Sequence, residues 1–552
     1  MDRSRFLASS ELLSALDVDT QTNRLLTLTF PRGDGPANTV MLANTLHARE
    51  EISRDYCFNV EVLSDDARIA LKDVMAKMVT IALVREDGSL RYFNGYVTEF
   101  SFIKTDGGFA YYGMQLEPWL AFTKLRKDSV SNHHRSVIEL TTTTFNHYAQ
   151  RDWRYRLYAD DPRLSCANQY NETDHNHLYR RWEALGLHTW YEHRADGHTL
   201  WVGDNTSMSD PIDAGVDIDN PAQIPFRSDA GTQEDDSIHH WQAVRRVGSS
   251  LTTLASFNYK SPRAQTVDRP SLNVQGMVPR LEVYADTAYG YRDSGDGATL
   301  VQRRMEEHDT RGQYFIAKGN DRCAQPGRWF RLEGHFSATP KAVRYGAPPR
   351  TSIAGREYLI LSAEHHASNN YQAGKGATSA YRNELTCQRK SIPWRPGVGY
   401  NSVPAVVPGV LTAIVTGPKT EEIHTDSLGR VTLQFHWDRL GTYDEKSSPW
   451  IRCVTPQAGN GFGQISIPRI GQEVAVQFIG GNPDHPIVIG CVYNAKPAAV
   501  ATAAQQGAKR RADPLHAGRF PEPRQRRALR RHQGQGATVA ARGEGPADRG
   551  RA

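Results

Sequence analysis

Cysteine is scarce in this chain of 552 residues, and its six cysteines lie far apart. No two of them form a C-x-x-C pair, the usual signature of a zinc ribbon or a redox centre. A small secreted domain held together by disulfides would need a much higher density of cysteine. We therefore interpret the cysteines as small hydrophobic residues, and we predict neither a zinc ribbon nor a disulfide scaffold.

The amino terminus, MDRSRFLASSELLSALDVDT, lacks the basic and then apolar layout of a secretory signal peptide. No apolar run approaches the roughly 18 residues that a membrane-spanning helix needs. We expect the protein to be made in the cytoplasm and to be secreted, or delivered, by a route that does not depend on a signal peptide.

Motifs for enzymatic chemistry are also missing. No G-x-S-x-G sequence marks a nucleophile elbow, and the stretch AGNGFG at 458–463 lacks the Lys-Ser/Thr that follows a phosphate-binding loop. Asp174 and Glu183 lie nine positions apart on a predicted helix, where they face different directions and cannot act as an acid–base pair. We therefore predict no enzyme, no catalytic residue and no cofactor.

Positive charge is concentrated at the carboxyl end. Residues 496–552 hold 13 Lys and Arg residues against four acidic ones, whereas the whole chain has 66 against 61. The same segment has no Ile, Trp, Tyr, Asn, Cys, Met or Ser, so it cannot bury a core. We expect a basic low-complexity tail that is either disordered or translated out of frame. The positive net charge is therefore no argument for nucleic-acid binding by the rest of the chain.

Short apolar runs separated by turn residues fill the chain up to about residue 385. Early examples are Leu26–Phe30, Tyr56–Leu63, Met78–Val84, Tyr92–Phe102 and Phe109–Leu116. This spacing is typical of barrels and sandwiches. One helix is predicted at 171–186, where Leu178, Trp182 and Leu185 share a face and Gly186 can end the helix. A hairpin is predicted directly after it.

The most regular pattern lies between residues 409 and 495. Val410–Val415 and Trp450–Val454 are predicted strands, and apolar residues alternate at 431–437 and 474–478. The final run IVIGCVY, at 487–493, suits a strand covered on both faces. Five to six short strands in about 90 residues fit a small closed barrel of the OB type. The proline-rich stretch before it is predicted to be a linker.

Several polar residues are candidate metal ligands by residue type. Four of them lie close together in the barrel region, namely His424, Asp426, His436 and Asp438. Their spacing matches no known site, and the same alternation is expected of a strand with one solvated face. Two adjacent histidine pairs, His239-His240 and His365-His366, would point to opposite faces of a strand. We predict no metal site.

The barrel region contains two long strings, IHTDSLGRVTLQFHWDRLG, at 423–441, and SSPWIRCVTPQAGNGFGQISIPRIGQEVAVQFIGGNPDHPIVIGCVYN, at 447–494. Both closely resemble the OB domain of the VgrG family of type VI secretion spike proteins. Upstream strings such as SRDYCFNVEVLSDD and QYNETDHNHLYRRWEALGLHTWYEH resemble the hub domain that this family shares with T-even phage baseplates. The resemblance covers roughly residues 10–495.

The resemblance implies a mainly β (α+β) fold divided into four parts. A hub-like region of two barrel-like subdomains spans 1–385, a proline-rich linker 386–408, the OB domain 409–495 and the tail 496–552. The resemblance also implies structural or interface roles for residues that match the family motif. These are Gly429, Arg430, Val431, Phe435, Trp437, Asp438, Trp450, Pro468, Arg469, Gly471, Glu473, Pro483, Asp484 and Pro486.

As for function, the resemblance implies a homotrimer whose hub caps a ring of the tube protein, the haemolysin-coregulated protein. In the family a β-helical needle follows the barrel and carries a PAAR-type tip and effectors. Residues 496–552 do not resemble that needle, so the chain resembles a spike base truncated before it. Two alternatives stay open: a spike protein of a contractile phage or phage-like tail, and an OB-fold protein that binds single-stranded nucleic acid through its aromatics. The mixed charge of the barrel segment argues against the second.

Overall fold

The alternating apolar runs form strands, most of them paired with antiparallel neighbours. In the computed structural model the described residues are 21, 24–37, 39–212, 222–228, 235–273, 275–287, 290–291, 293–335, 356–369, 371, 379–460 and 462–494. The strands are β1 (Leu26–Thr29), β2 (Met41–Glu51), β3 (Cys57–Ser64), β4 (Met78–Val84), β5 (Leu90–Thr105), β6 (Ala110–Glu117), β7 (Lys127–Val130), β8 (Trp153–Arg156), β9 (Gln169–Thr173), β10 (His188–Arg194), β11 (Gly197–Gly203), β12 (Gln223–Pro225), β13 (Ile238–Arg245), β14 (Leu251–Asn258), β15 (Ser261–Pro270), β16 (Glu282–Asp286), β17 (Gln313–Gly319), β18 (Trp329–Glu333), β19 (Glu357–Ser368), β20 (Ala380–Arg389), β21 (Val410–Thr416), β22 (Thr432–Phe435), β23 (Arg452–Cys453), β24 (Gln457–Gly459), β25 (Phe462–Gln464), β26 (Glu473–Phe478) and β27 (Pro486–Val492). The α-helices of these residues are α1 (Val137–Phe145), α2 (Asp174–Leu185) and α3 (Ser294–Gly312).

One large sheet runs through the chain before residue 390. Its strands follow the order β1-β4-β5-β6-β3-β2-β19-β20-β17-β13, and β18 joins β12 to β19. The first six strands in this order border one hydrophobic core, which includes Phe58 and Trp182. The others border a second core around Phe330 and Tyr358. The two halves meet at the antiparallel pair β2–β19, which we call the seam. The predicted mainly β fold is confirmed.

Most strands predicted near the start are confirmed, but β2 was not predicted. Its sequence, MLANTLHAREE, is rich in polar and charged residues. The strand nevertheless alternates, with Leu46, Ala48 and Glu50 buried and the residues between them exposed. Glu50 can be buried because Arg91 donates a hydrogen bond to its carboxylate at 2.5 Å. A buried ion pair therefore replaces the apolar residue that the sequence pattern would require.

Helix α2 is confirmed together with its predicted ends. The hydroxyl of Thr173 accepts a hydrogen bond from the backbone N–H of Asn176 at 3.1 Å and so caps the first turn. Gly186 ends the helix with a φ of +66°, a conformation that favours glycine. Leu178 and Trp182 are each 1% exposed, so the predicted apolar face packs into the first core.

Two further helices, α1 and α3, were not predicted. The sequence of α1, VIELTTTTF, is rich in β-branched residues and resembles a strand. Its first turn is held by a capping box between Ser136 and Glu139, and the carboxylate of Asp161 accepts hydrogen bonds from two further N–H groups. Helix α3 begins with SGDG, and glycines so near a helix start obscure the pattern.

The part of the chain after residue 409 forms the predicted OB-type barrel. Its sheet has the order β22-β21-β26-β27-β23. An antiparallel bridge between Val431 and Ile451 joins the two edge strands and closes the sheet. The core contains both of these residues together with Leu433, Phe435 and Val474.

Two details of this barrel differ from the prediction. The strand predicted at Trp450–Val454 is confined to Arg452–Cys453. The described residues do not cover both faces of β27: Val488 is buried, whereas Ile489 is 38% exposed. The prediction that this apolar run is covered on both faces is therefore not met by the described residues.

The segment between the large sheet and the barrel follows a defined course along α2. The buried carboxylate of Glu183 accepts hydrogen bonds from the N–H groups of Gly399 (2.9 Å) and Asn401 (2.6 Å) and from the hydroxyl of Ser402 (2.6 Å). We call residues 390–409 the crossing segment. Strand β20 continues to Arg389, so the crossing segment begins after the predicted start of the linker. The four domain boundaries themselves stay a prediction.

The predicted tail at 496–552 lies outside the described residues. Among the described helices, none combines the length and the hydropathy that a membrane span requires.

We predict that Glu183→Gln loosens the crossing segment. Both carboxylate oxygens accept from N–H donors, so either orientation of the glutamine amide places an NH₂ group against a donor. A loss of about 1.4 kcal/mol in local stability would raise the open population about tenfold. Chymotryptic cleavage after Tyr400, followed by mass spectrometry, should become faster by that factor. Glu445→Gln, at an exposed position, is the matched control, and an unchanged rate in the Glu183 variant would contradict the proposed hold.

Candidate functional site at the junction of the large sheet and the barrel

The turn GGNPDHP between β26 and β27 is bound to α2. Arg181 of α2 donates two hydrogen bonds to the carboxylate of Asp484, at 2.6 and 2.8 Å. The backbone N–H of Asn168 donates to the same carboxylate at 2.7 Å, and its side chain donates to the carbonyl of Pro483 at 2.7 Å. Pro486 begins β27 directly after this turn. Because Arg181 and Asn168 are both buried, the turn has one defined position on the helix.

Charges alternate around this contact. Arg180 donates to Glu172 at 2.6 Å, next to the pair of Arg181 and Asp484. Burial by itself would raise the pKa of Asp484, but Arg181 and then Arg180 hold that pKa below its usual value of 3.8. Burial would likewise raise the pKa of Glu172, but hydrogen bonds from His177 and Arg180 lower it to about 2. Both carboxylates are therefore ionised at neutral pH and neutralise the two arginines.

Aromatic contacts continue the junction on the barrel side. The rings of Phe435 and Trp437 are stacked, with centroids 4.8 Å apart. Phe435 is 1% exposed and belongs to the barrel core. Trp437 meets Tyr170 of β9 edge-on at 5.5 Å, so it connects that core to the large-sheet region. Val431, an aliphatic member of the predicted set, lies in the same core.

A second contact forms at the turn before β22. Gly429 has a φ of +68°, which favours glycine in this turn. The carboxylate of Asp426 accepts hydrogen bonds from the Arg430 guanidinium at 2.6 and 2.8 Å. Arg430 also donates to the hydroxyl of Tyr259 at 2.9 Å, and the Arg452 guanidinium lies 4.5 Å from the centre of the same ring. Two arginines of the barrel therefore hold one tyrosine of the preceding region.

The turn before β26 is organised within the barrel itself. Pro468 is buried, and Arg469 forms an ion pair with Glu422. Gly471 has a φ of +85°, and Glu473 begins β26. These residues make local contacts that define the barrel turn.

Asp438 and Trp450 also make contacts inside the barrel. Asp438 is buried and accepts a hydrogen bond from the N–H of Leu440 at 3.2 Å. Trp450 packs against the imidazole of His424 with ring centroids 4.8 Å apart. The structure thus brings Trp437, Pro483 and Asp484 to the α2 side of the junction. The interface role of the whole motif set stays a prediction.

Sequence reasoning missed the partners on the other side of the junction, Arg181, Asn168 and Tyr259. The available signal was the position of Arg181, directly before Trp182 and three residues after Leu178. An arginine beside an apolar stripe is close to the buried face of a helix and needs a carboxylate partner. No local pattern pointed to a carboxylate in a turn 303 positions away.

The four barrel residues that are candidate metal ligands by type make other contacts in the structure. Asp426 accepts hydrogen bonds from Arg430, and His424 contacts Glu421 at 3.0 Å. Within the described ranges, His424, Asp426, His436 and Asp438 form no group of three neighbouring ligand atoms.

Comparison with known proteins places this geometry in a family. The family model of the phage tail baseplate hub matches residues 49–371, more than half of the chain. The model of the type VI secretion system/phage-baseplate injector OB domain matches residues 412–493. The type VI secretion system spike protein VgrG1a of Pseudomonas aeruginosa is 31% identical over 479 residues, which cover 86% of this chain and 70% of that protein. This chain belongs to the VgrG family of spike proteins.

Other members of the VgrG family are longer than the matched region. VgrG1b of Pseudomonas aeruginosa is also 31% identical over 479 residues, but the match spans only 61% of its length. Among solved structures, a component of the E. coli type VI secretion system, described as similar to the T4 tail proteins gp27 and gp5, has a TM-score of 0.57 at 16% identity. That match covers 85% of this chain and 99% of the other, and it shows that the fold is shared.

We predict that Asp484→Asn weakens the junction of this VgrG-family chain. The substitution leaves Arg181 buried without a counter-charge, and breaking a buried ion pair costs about 3–5 kcal/mol. Scanning calorimetry should show a lower Tm for the transition that includes the barrel. Asp196→Asn is the matched control, because Asp196 pairs with Arg194 at an exposed position where an ion pair contributes about 1 kcal/mol at most. Equal effects of the two substitutions would contradict this assignment.

The same pair predicts a dependence of stability on pH. The pKa of Asp484 is lower in the folded chain than its ordinary value of 3.8, so the ionised form is bound more tightly by the folded state. This stabilisation is complete above about pH 5 and is lost as the pH falls through 3.8 toward the folded pKa. The Tm difference between the unsubstituted chain and Asp484→Asn should therefore shrink between pH 5 and pH 3. A constant difference over that range would indicate that the carboxylate charge is not responsible.

Proposed function

We propose that this chain is a hub and spike base of a type VI secretion apparatus, and that three copies assemble around one axis. The observation that carries the proposal is the order of the two matched regions, a phage-type hub at 49–371 followed by an injector OB domain at 412–493. Relatives with this order are named as spike proteins of type VI secretion systems. The role proposed is structural support for contractile delivery of effectors, without a catalytic step.

Exposed apolar side chains on the barrel support assembly. Phe462 and Ile465 are 64% and 80% exposed, at and just after β25. Val454 is 53% exposed, and its backbone N–H donates to the carbonyl of Val488, next to the exposed Ile489. Contiguous exposed apolar surface marks protein interfaces, and the hydrogen bond between Val454 and Val488 places two exposed apolar positions, Val454 and Ile489, on neighbouring segments of the barrel. Other copies of the chain could cover them in a ring with rotational symmetry.

The junction supports a role in transmitting force. The buried ion pair of Arg181 and Asp484 limits rotation of the barrel against the large sheet. The hydrogen bonds that Glu183 accepts from the crossing segment limit it further. A spike base that is pushed from the hub side needs such a defined relation between its parts. We extend the proposal to the family's tube protein, a ring of which would contact the hub. A PAAR-type tip and effectors belong to family members with a β-helical needle, which residues 496–552 do not resemble, so they are not part of the proposal for this chain.

A contractile phage or phage-like tail is the second candidate setting. The hub family model carries the name of a phage tail baseplate, which favours this alternative, whereas the relatives at 31% identity belong to type VI secretion systems. Binding of single-stranded nucleic acid is not favoured. Four aromatics would carry such binding: Phe435 is buried, Trp437 packs on Tyr170 and Trp450 packs on His424. Phe462 is exposed, but a single exposed ring does not make a platform on which successive bases stack.

Charge introduced at the exposed apolar side chains should dissociate the proposed trimer. Phe462→Asp combined with Ile465→Asp should convert a trimer at micromolar concentration into a monomer, because it places charge on surface that assembly would bury. Size-exclusion chromatography with light scattering measures the mass, and circular dichroism checks that the barrel is folded. Leu125→Asp is the control, since Leu125 is 84% exposed and lies outside the barrel. A monomer before any substitution would count against the proposal.

Release of the tube protein from the cell should depend on this chain. In the bacterium that encodes the chain, and in a strain without other VgrG genes, deletion should abolish release of the tube protein into the medium. The unsubstituted gene and Leu125→Asp should restore release, and the Phe462/Ile465 double variant should not. Immunoblots of medium and cell fractions are the measurement. Undiminished release in the deletion strain would exclude the type VI role and leave the phage-like setting.

A further inference from the structure

The seam places two histidines opposite each other on its exposed side. His47 of β2 pairs in register with His366 of β19, and their imidazole rings are stacked with centroids 4.4 Å apart. Glu364 lies two residues before His366 and therefore on the same face of the sheet. Its Oε1 atom lies 2.7 Å from Nε2 of His47 and 3.4 Å from Nε2 of His366. One ligand atom from each residue lies within 4.8 Å of the other two.

We propose that His47, Glu364 and His366 form a binding site for a divalent transition-metal ion such as Zn²⁺. Two imidazoles and one carboxylate are a ligand set that zinc sites use, with water completing a tetrahedron. Bond lengths of about 2.0–2.2 Å in a tetrahedron put ligand atoms about 3.3 Å apart. The separation of 3.4 Å between His366 and Glu364 already fits that value. The His47–Glu364 contact must open by about 0.6 Å from its 2.7 Å hydrogen bond. The two imidazole rings, which are stacked at 15° to each other, must also turn out of the stack so that both Nε2 lone pairs point at one ion.

The three side chains have room for this adjustment. The side chains of His47 and Glu364 are 49% and 45% exposed, and that of His366 is 32% exposed. Exposed side chains change rotamer at little cost, whereas the backbone positions are held by the paired strands. The seam therefore supplies a rigid frame with adjustable ligands. The proposal does not depend on the function proposed above.

Some neighbouring charged residues oppose the binding of a cation at this site, and others favour it. Arg382 of β20 faces His366 in register, and Arg49 lies two residues after His47, so both oppose a bound cation. On the other side, His47 borders a cleft of about 400 Å³ that is also lined by Glu61 and Glu99 and by no lysine or arginine. These two carboxylates favour the approach of a cation through the cleft.

A metal ion at this position would join parts of the chain that are far apart in sequence. It would bind one residue of β2 and two of β19, and these strands connect the two halves of the large sheet. Because the site does not exist in the unfolded chain, binding would stabilise the folded state. The ion would therefore reinforce the seam.

Isothermal titration of the full chain with ZnCl₂, after chelator treatment and removal of any affinity tag, tests the site. We expect one Zn²⁺ per chain, and we expect His47→Ala and His366→Ala each to weaken binding by at least about tenfold. His240→Ala is the matched control, an exposed histidine of β13 in the same sheet, and should leave the affinity unchanged. A second readout is the rise of Tm on adding Zn²⁺, which the His47→Ala/His366→Ala double variant should lose.

Circular dichroism of each variant confirms that the large sheet is folded before binding is compared. Absence of a saturable Zn²⁺ site in the unsubstituted chain would overturn the proposal. The same conclusion would follow if the double variant bound Zn²⁺ as tightly as the unsubstituted chain, since the ligands would then lie elsewhere, for example at the cysteines.

Discussion

Burial of charged side chains on both sides of helix α2 is the constraint on which the arrangement of this molecule depends. Arg181 and Glu183 lie two positions apart, so they point to roughly opposite sides of the helix. A buried charge without a partner costs several kcal/mol, so each of these side chains needs an opposite charge or hydrogen-bond partners. Arg181 donates hydrogen bonds to Asp484 in the barrel turn, and Glu183 accepts hydrogen bonds from the N–H groups of the crossing segment. One helix therefore determines both where the chain leaves the large sheet and where the barrel is placed.

These buried polar contacts fix the position of the barrel more than they add to the net stability of the folded chain. The attraction within a buried ion pair offsets the cost of removing its charges from water, and an apolar pair of similar volume often does as well. An apolar junction, however, would allow the barrel to slide or rotate, because hydrophobic contacts have no preferred direction. The two hydrogen bonds between Arg181 and Asp484 do have one. A defined orientation is what a part that transmits force requires.

Sequence patterns predicted the elements of this fold better than the contacts between them. Alternation and turn residues were sufficient for β4, the hairpin after α2 and the closed barrel, because those signals are local. They failed for β2, where the buried Glu50 breaks the alternation, and for α1, where four threonines suggest a strand. The partners of Asp484 and the meeting of His47 with His366 depend on pairing between residues more than 300 positions apart. No periodicity of 2.0 or 3.6 residues carries that information.

The barrel has polar side chains at the junction and large apolar side chains on its exposed surface. At the junction the barrel uses polar and charged groups, with Trp437 as the large apolar contribution, and it retains Phe462 and Ile465 on its exposed side. A hub and a barrel that recognised each other through apolar faces would compete, during folding, with the apolar faces needed between copies. Polar recognition within the chain reduces this competition, since an apolar surface of another copy placed against the junction would leave the charges of Asp484 and Arg181 unpaired. The polar contacts at the junction leave Phe462 and Ile465 exposed, and this uncovered apolar surface is a physical reason for the proposed assembly through the barrel.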